Sequence, residues 1–294
     1  SYTRAGFETS DIVILEINES MPRVSGGSDA NIHIDEVDYI IEGDNPELKG
    51  IPNMGYGDLE EKVAELVVPE IVDGATIQIG VGNLPNAIVS LLAKSDVKDL
   101  GCHTELFVDG FLDLIKAGKV TGMRKKLDRG NHVFTFALGS HELYDYMENN
   151  PQCLVRSVDY VNSPSVIKQF DNFVSINGAI QIDLQGEVSS ESVGYRHISG
   201  SGGALDFMLG AYESKGGKSF VTLLSAREGK DGKLVSNIVP NFAPGTMVTG
   251  TRANTHYIAT EQGLVNLKGK SVWQRTEDII SIAHPQFRLS LIHI

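Results

Sequence analysis

Residues 73–110, DGATIQIGVGNLPNAIVSLLAKSDVKDLGCHTELFVDG, decide the fold because they contain a complete strand, turn, helix and strand unit. The run Thr76–Ile79 is β-prone and ends at a glycine turn, GVG, at residues 80–82. A helix is predicted next, since Pro85 suits a first helical turn and apolar residues then follow at helical spacing. The chain returns along a second apolar run that carries one carboxylate, Glu105.

This order of elements predicts an α/β sheet with a ligand site beside Glu105. The carboxylate is expected at, or just past, the carboxyl end of its strand, and open α/β sheets bind ligands at that edge. The backbone N–H groups of residues 80–84 are expected to be free at the start of the helix. Free donors of this kind suit an anion or a carbonyl oxygen.

Composition excludes several classes of protein. A length of 294 residues with 41% hydrophobic residues suffices for one large or two smaller domains with a core. The net charge of −13 argues against a nucleic-acid partner. No apolar run reaches the roughly 18 residues of a membrane helix, and residues 1–6 do not resemble a leader, so we expect a cytoplasmic protein that binds no membrane. Cys102 and Cys153 form no CxxC pair, so no disulfide framework and no metal site are expected.

The rest of the chain continues the α/β pattern. Residues 11–18, DIVILEIN, form a continuous apolar run that is typical of a strand buried in a parallel sheet. Asp58 and Glu61 have the spacing of a capping box, which predicts a helix over residues 59–72. Residues 155–161 are a further strand candidate.

The residues around Glu105 also allow other kinds of site. Gly80 and Gly82 resemble the opening of a dinucleotide fingerprint, but the third glycine and the closing acidic residue are missing, and no P-loop lysine follows. His103 and Glu105 could present two metal ligands on one strand face, although no third ligand is obvious nearby. Cys102 beside His103 suggests a thiol nucleophile, but adjacent strand residues point to opposite faces. A buried, inert Cys102 is the favoured interpretation.

Seven sequence blocks, in the right order between residues 11 and 287, resemble the acetyl-CoA hydrolase/transferase family of coenzyme A transferases. The blocks are IQIGVGNLPNAI (77–88), HTELFVDG (103–110), VDYVNSPSVI (158–167), SINGAIQIDLQGEVSSESVG (175–194), SGSGGALDF (199–207), IVPNF (238–242) and YIATEQGLVNLKGKS (257–271). The resemblance is closest to 4-hydroxybutyrate and butyrate:acetate CoA-transferases. It implies an α/β fold of open mixed sheets with flanking helices, the NagB/RpiA-like fold of CoA-transferases.

The resemblance also implies roles for individual residues. The glutamate of the H-[ST]-E block is the nucleophile of that family, and it is Glu105 here. Some relatives carry a glutamate at the position of Gln181, but an amide is a poor nucleophile. The Gln78 amide is a candidate donor to negative charge in the reaction. The candidate contacts to coenzyme A are Gly80, Val81, Gly82, Asn83, Leu84, Asn177, Gly200, Gly202, Gly203 and Lys218.

These implications predict ping-pong transfer of coenzyme A between a short-chain acyl-CoA and a carboxylate. Coenzyme A is then a substrate and a covalent glutamyl thioester, and no cofactor stays bound. The expected partners are acyl-CoA, a short-chain carboxylate and a second copy of the chain, in a homodimer or a higher homo-oligomer. A thioester hydrolase on the same scaffold and a non-catalytic CoA-binding fragment remain as alternatives.

The resemblance divides the chain into three parts. Residues 1–57 are expected to be the closing strands and linker of an incomplete N-terminal domain. Residues 58–288 are expected to form the C-terminal domain with the catalytic glutamate, followed by an atypical tail at 289–294. In this family the N-terminal domain forms one wall of the active-site cleft. We therefore expect this chain alone to transfer acyl groups poorly.

Overall fold

The computed structural model describes residues 2–51 and 55–293. Its helices are α1 (Tyr2–Thr9), α2 (Asp58–Val67), α3 (Asn83–Lys94), α4 (Asp109–Lys116), α5 (His141–Met147), α6 (Val158–Val161), α7 (Pro164–Ile167), α8 (Ala204–Glu213), α9 (Val272–Ser281) and α10 (Pro285–Ile292). None of the helices in the described ranges has the length and apolarity that crossing a membrane requires.

Seventeen strands are described, and they alternate with single helices from α2 to β6. They are β1 (Ile14–Ile17), β2 (Tyr39–Glu42), β3 (Thr76–Ile79), β4 (Gly101–Phe107), β5 (His132–Ala137), β6 (Cys153–Val155), β7 (Val174–Gly178), β8 (Gln181–Asp183), β9 (Val188–Ser189), β10 (Ser192–Val193), β11 (Arg196–His197), β12 (Lys218–Thr222), β13 (Ala226–Glu228), β14 (Leu234–Ser236), β15 (Ile238–Val239), β16 (Tyr257–Thr260) and β17 (Gly263–Asn266).

Eight of these strands form the main sheet, in the order β17-β16-β12-β7-β3-β4-β5-β6. All neighbours in it run parallel except β16 and β17. The chain moves outward from β3 through β4, β5 and β6, and then returns to place β7 on the other side of β3. The strand order therefore reverses at β3, which makes the carboxyl edge of β3 the topological switch point of the sheet. The predicted α/β fold with flanking helices is confirmed.

The strand β3 lies at the centre of the core. All four of its residues are buried, and Ile77 and Ile79 are 0% and 1% exposed. Apolar side chains of α2 and α3 pack on one face of the sheet, in a cluster that includes Val63, Ile88 and Leu92. The predicted strand Thr76–Ile79 is confirmed, and so is the helix after the glycine turn.

A second apolar cluster covers part of the opposite face. It contains Val161, Phe170, Phe173 and Phe207, which come from α6, α7, α8 and the segments next to them. His103 of β4 lies among these rings, at 4.9 Å from the Phe170 ring centroid. This packing fixes α6 and α8 against the half of the sheet that carries Glu105.

Residues 11–18 were predicted to form a buried strand, and the burial part of this prediction is wrong. The strand β1 does pair in parallel with β2, but the two strands form a separate two-stranded sheet. Ile14 is 60% exposed, and every residue of β2 is exposed. An apolar sequence therefore does not lead to burial here, because within the described residues this sheet contains β1 and β2 and no further strand.

Two local predictions also need correction. The N-cap of α2 is Gly57, whose N–H donates to Glu60 Oε2 at 3.0 Å, so Asp58 and Glu61 do not form the predicted capping box, and α2 ends at Val67, where a short 3-10 turn follows. Residues 158–161 are helical and not extended, because Ser157 takes the extended conformation of an N-cap and starts α6. At the end of the chain, residues 289–292 continue α10, in which Leu291 is buried.

Candidate active site

Parallel pairing of the central strands directs Glu105 and the first glycine turn towards the same edge of the sheet. Ile77 of β3 pairs with Cys102 of β4, and Gly80 and Glu105 each follow their paired residue by three positions towards the carboxyl edge. Because side chains alternate between the faces of a sheet, His103 and Glu105 share one face of β4. Glu105 lies two residues before the last residue of its strand, near the carboxyl edge as expected.

Both carboxylate oxygens of Glu105 accept hydrogen bonds. The backbone N–H of Gly203 donates to Oε2 at 2.8 Å, and the Tyr2 hydroxyl donates to Oε1. The Asn162 side chain lies close to the Tyr2 hydroxyl and lowers its pKa, against the larger effects that raise it. Glu105 itself is half-buried, so its carboxylate is both held and reachable from solvent.

A second carboxyl group faces this cluster. Asp206, in the first turn of α8, is half-buried, and its pKa is raised by burial and then by the charge of Glu105. Burial and the hydrogen bond to Glu105 also raise the pKa of Tyr2 above its ordinary value. Tyr2 is therefore a neutral phenol at physiological pH and acts as a hydrogen-bond donor.

Two amides lie side by side on β3 and β7. The Gln78 Nε2 donates to the Asn177 Oδ1 at 3.2 Å, and both side chains are more than nine-tenths buried. Among the described residues, Gln78 Oε1 and Asn177 Nδ2 have no hydrogen-bond partner. Asn177 pairs with Val221 of β12 at the same carboxyl edge of the sheet. One acceptor and one donor are thus buried without partners among the described residues, close to the switch point.

The first glycine turn follows β3 directly. The N–H of Gly80 is not free, because it donates to the Ile176 carbonyl at 2.9 Å and extends the ladder with β7. Gly82 caps α3 with a φ of 124°, a conformation that side chains disfavour, and no side chain caps this helix. Val81 and Asn83 are exposed beside it, and Leu84 packs partly against the core. The turn therefore offers fewer donors than expected, and they belong to residues after Gly80.

The second glycine turn contacts Glu105 directly. Gly203 starts α8, and a Cβ at this position would overlap both Glu105 Oε2 and the Asn162 amide nitrogen. Gly202 has a φ of 54°, and a Cβ there would lie 4.0 Å from Glu105 Oε1. Gly200 is exposed, with open space where its Cβ would be. A side chain at position 203 would thus displace the Glu105 carboxylate and the Asn162 amide from their present places.

The structure places Lys218 elsewhere. It is the first residue of β12, at the amino edge of the parallel strands, and its Nζ bonds Glu70 Oε2 at 2.6 Å and the Glu70 carbonyl at 2.9 Å. The Lys218 ammonium also lies 5.9 Å from the Tyr257 ring centroid. It therefore does not join the group around Glu105.

Three residues of the group around Glu105 were not predicted from the sequence: Tyr2, Asn162 and Asp206. Asn162 and Asp206 lie inside the blocks VDYVNSPSVI and SGSGGALDF, so each is a polar residue within a quoted motif that could have been singled out. Nothing in the local sequence marks Tyr2, which lies 103 residues before its partner.

The buried groups of β4 give little support to the thiol and metal alternatives. Burial raises the pKa of the Cys102 thiol well above its usual range, so it stays protonated. Burial lowers the pKa of His103 to about 3, and its Nε2 is bonded to the Val161 carbonyl at 2.8 Å. Within residues 2–51 and 55–293, no group of three or more potential ligands is placed to hold a metal ion.

Two family models match this chain. The acetyl-CoA hydrolase/transferase C-terminal domain matches residues 139–293, and the N-terminal domain of the same family matches residues 1–49. The chain belongs to the acetyl-CoA hydrolase/transferase family. Membership agrees with the sequence blocks that carried the resemblance.

Named members of this family are similar along the whole chain. A butyryl-CoA:acetate CoA-transferase of Anaerostipes caccae is 50% identical over 293 residues, which are 99% of this chain and 66% of that protein. A 4-hydroxybutyrate coenzyme A transferase of Clostridium kluyveri is 44% identical, with the same coverage of both chains. The crystal structure of RipA from Yersinia pestis matches all of this chain and 64% of its own, with a TM-score of 0.90 and 44% identity. This chain thus spans about two thirds of the length of these relatives.

Proposed function

We propose that this chain carries the reaction centre of an acyl-CoA:carboxylate CoA-transferase, with Glu105 as the nucleophile. The observation that carries the proposal is the Glu105 carboxylate near the carboxyl edge of β4, with its Oε2 accepting the Gly203 N–H at 2.8 Å. This edge adjoins the switch point of the sheet, where open α/β sheets bind ligands. The transferase activities named for the similar proteins support the same assignment.

The proposed reaction begins when a Glu105 carboxylate oxygen attacks the thioester carbon of acyl-CoA. A C–O bond forms, the C–S bond breaks, and coenzyme A leaves as a thiolate, so that a mixed anhydride joins Glu105 to the acyl group. The thiolate then attacks the glutamyl carbonyl carbon, forms a glutamyl-CoA thioester and releases the acyl group as a carboxylate. An incoming carboxylate reverses both steps and departs as the new acyl-CoA.

Each addition places negative charge on a carbonyl oxygen, so donors must already be aimed at that position. For the acyl oxygen, the candidates are the backbone N–H groups of Val81 and Gly82, together with the Gln78 amide. For the glutamyl oxygen, the candidate is the Gly203 N–H, which already contacts Glu105. Because these groups are fixed by strands and helix starts, little reorganisation is needed when charge develops.

We infer that coenzyme A lies along the carboxyl edge between the two glycine turns. A turn without Cβ atoms lets the backbone come close to the pantetheine arm. The unpartnered Asn177 Nδ2 and Gln78 Oε1 are suited to the amides of that arm. Holding this long chain supplies binding energy that can be used at the distant carbonyl carbon. Lys218 is not part of this proposal, since its ammonium is paired with Glu70.

The decisive experiment looks for the covalent intermediate. The chain is incubated with acetyl-CoA, with and without hydroxylamine. It is then digested, and the mass of the peptide containing Glu105 is measured by mass spectrometry. Coenzyme A or a hydroxamate is expected on Glu105 and absent in the Glu105→Ala variant. Glu228→Ala removes an exposed carboxylate of β13 and serves as the matched control. Labelling that survives in Glu105→Ala would assign the nucleophile to another residue.

A second measurement separates transfer from hydrolysis. Release of free thiol from acetyl-CoA is followed with and without added butyrate. A transferase forms butyryl-CoA and releases little thiol, whereas a hydrolase releases thiol regardless of butyrate. Binding of coenzyme A without either reaction would favour the CoA-binding fragment.

The acceptor acid and the assembly stay predictions. Acetate, butyrate and 4-hydroxybutyrate are the candidate acids, and one methylene in an apolar pocket changes binding by only about 1–3 kcal/mol. Competition between the three acids in the exchange assay ranks them. Light scattering of the purified chain tests the expected homodimer or higher homo-oligomer.

A further inference from the structure

The hydroxyl of Tyr2 contacts the proposed nucleophile, Glu105, which lies 103 residues further along the chain. Tyr2 is the first residue of α1, and its ring packs against Phe136 of β5 with 5.6 Å between the ring centroids. This contact fixes the ring over the edge of the sheet. From there the hydroxyl donates to Glu105 Oε1.

A buried amide lies close to this hydroxyl. Asn162, which is 6% exposed, closes α6, and its side chain is near enough to the Tyr2 hydroxyl to lower the Tyr2 pKa. Its nitrogen also lies where a side chain at Gly203 would have to be. Tyr2 thus holds one oxygen of the carboxylate, and the Gly203 N–H holds the other.

We propose that Tyr2 is a positioning residue for Glu105. This inference rests on the proposed function. With one oxygen held by a phenol and the other by a backbone N–H, the plane of the carboxylate is fixed. A free carboxylate rotates about its last side-chain bond, and such freedom must be lost before a productive attack.

The Tyr2 hydroxyl also stabilises negative charge after the attack. Once one Glu105 oxygen has formed a bond to an acyl group, the other becomes the carbonyl oxygen of the glutamyl group. That oxygen carries negative charge each time a thiolate or a carboxylate adds to the glutamyl carbon, and a donor already in place stabilises this charge. Because donors contact both oxygens, one of them remains whichever oxygen reacts.

The test compares Tyr2→Phe with Tyr39→Phe. Phenylalanine keeps the ring that packs on Phe136 and removes only the hydroxyl, while Tyr39 is an exposed tyrosine of β2. The rate at which acetyl-CoA labels Glu105 is measured over a range of acetyl-CoA concentrations. We expect Tyr2→Phe to lower the limiting rate about tenfold or more, with the half-saturating concentration unchanged. A change in half-saturation alone would indicate a binding or structural role and overturn the proposal.

A second readout does not need any reaction. The chain is labelled with carbon-13 at the tyrosine ring carbon that bears the oxygen. The Tyr2 resonance is then identified as the one that is missing in Tyr2→Phe. Glu105→Gln is expected to shift this resonance, because the partner of the hydroxyl changes from a charged to a neutral group. A resonance that does not move would overturn the contact.

The two proposals fail in different ways. If Tyr2→Phe is labelled at the rate of the unmodified chain while Glu105→Ala is not labelled, Tyr2 has no positioning role and the proposed function stands. If Glu105→Ala is still labelled, the proposed nucleophile is wrong, and the role of Tyr2 falls with it.

Discussion

Two four-residue strands of this chain have nearly the same composition and opposite burial. β1 reads ILEI and β3 reads TIQI, yet Ile14 and Ile17 are 60% and 42% exposed while Ile77 and Ile79 are almost completely buried. Both strands pair in parallel with a neighbour. The difference lies in the number of neighbours, since β3 is flanked by β4 and β7 and covered by helices, whereas β1 pairs with β2 alone within the part of the chain that the structure describes.

The comparison teaches that local sequence sets the extended conformation but not its contribution to stability. Burial of apolar surface supplies roughly 25 cal/mol per Å², so an isoleucine stabilises the fold only where neighbours remove it from water. The same difference separates the functional residues. Glu105 and Gly203 lie on elements of the buried sheet and its helices, whereas Tyr2 joins them from the N-terminal segment that also contains β1.

The largest expected effect is on stability. Ile77→Ala should lower the free energy of unfolding by about 2–5 kcal/mol, because it leaves a cavity in a packed core. Ile14→Ala makes the same chemical change in β1 and should cost less than about 0.5 kcal/mol, since the side chain is mostly in water. Urea denaturation of both variants measures the two values. Equal losses would break the comparison.

The next effect is on the site. Gly203→Ala should reduce labelling of Glu105 by acetyl-CoA about 100-fold, because the added Cβ would overlap the carboxylate and displace it from its donor. Gly6→Ala is the matched control, since Gly6 lies in α1 with open space around its Cβ position. Near-normal labelling of the Gly203 variant would mean that the close approach is not needed.

The smallest effect concerns pH. Burial lowers the pKa of His132 to about 4, and its ring nitrogens have no partner among the described residues. The unfolded chain binds this proton near pH 6.5, so His132 lowers the free energy of unfolding as the pH falls from about 6.5 towards 4. His132→Phe should reduce this decline relative to the unmodified chain, because it removes the group that takes up the proton. Unfolding curves recorded between pH 7 and pH 4 compare the two slopes.

Much of the centre of this fold could be predicted from the sequence. The strand Thr76–Ile79, the helix after it and the position of Glu105 follow from a short apolar run, a glycine turn and helical spacing, which are all local signals. The family was also correctly identified from ordered motifs. The contact between Gly203 and Glu105 lay beyond such reasoning, because it joins residues 98 positions apart.

Two differences from the sequence predictions have different origins. Residues 158–161 are apolar enough for a strand, but the adjacent N-cap Ser157 and the packing of Val161 among aromatic rings favour a helical turn. Lys218 was a candidate contact to coenzyme A, but it lies at the amino edge of β12, where its ammonium pairs with Glu70. Glu70 is distant from Lys218 in sequence, so local sequence could not indicate this pair.

The sequence by itself determined the α/β class, the family, the carboxylate and the two glycine turns, because these depend on residue type and short spacing. Only the tertiary structure decided which turn contacts the carboxylate, that Tyr2 and Asn162 join it, and that β1 is exposed while β3 is buried. The physical reason is that hydrogen bonds and burial depend on distances between chain segments. Those distances exist only after the sheet has assembled around β3.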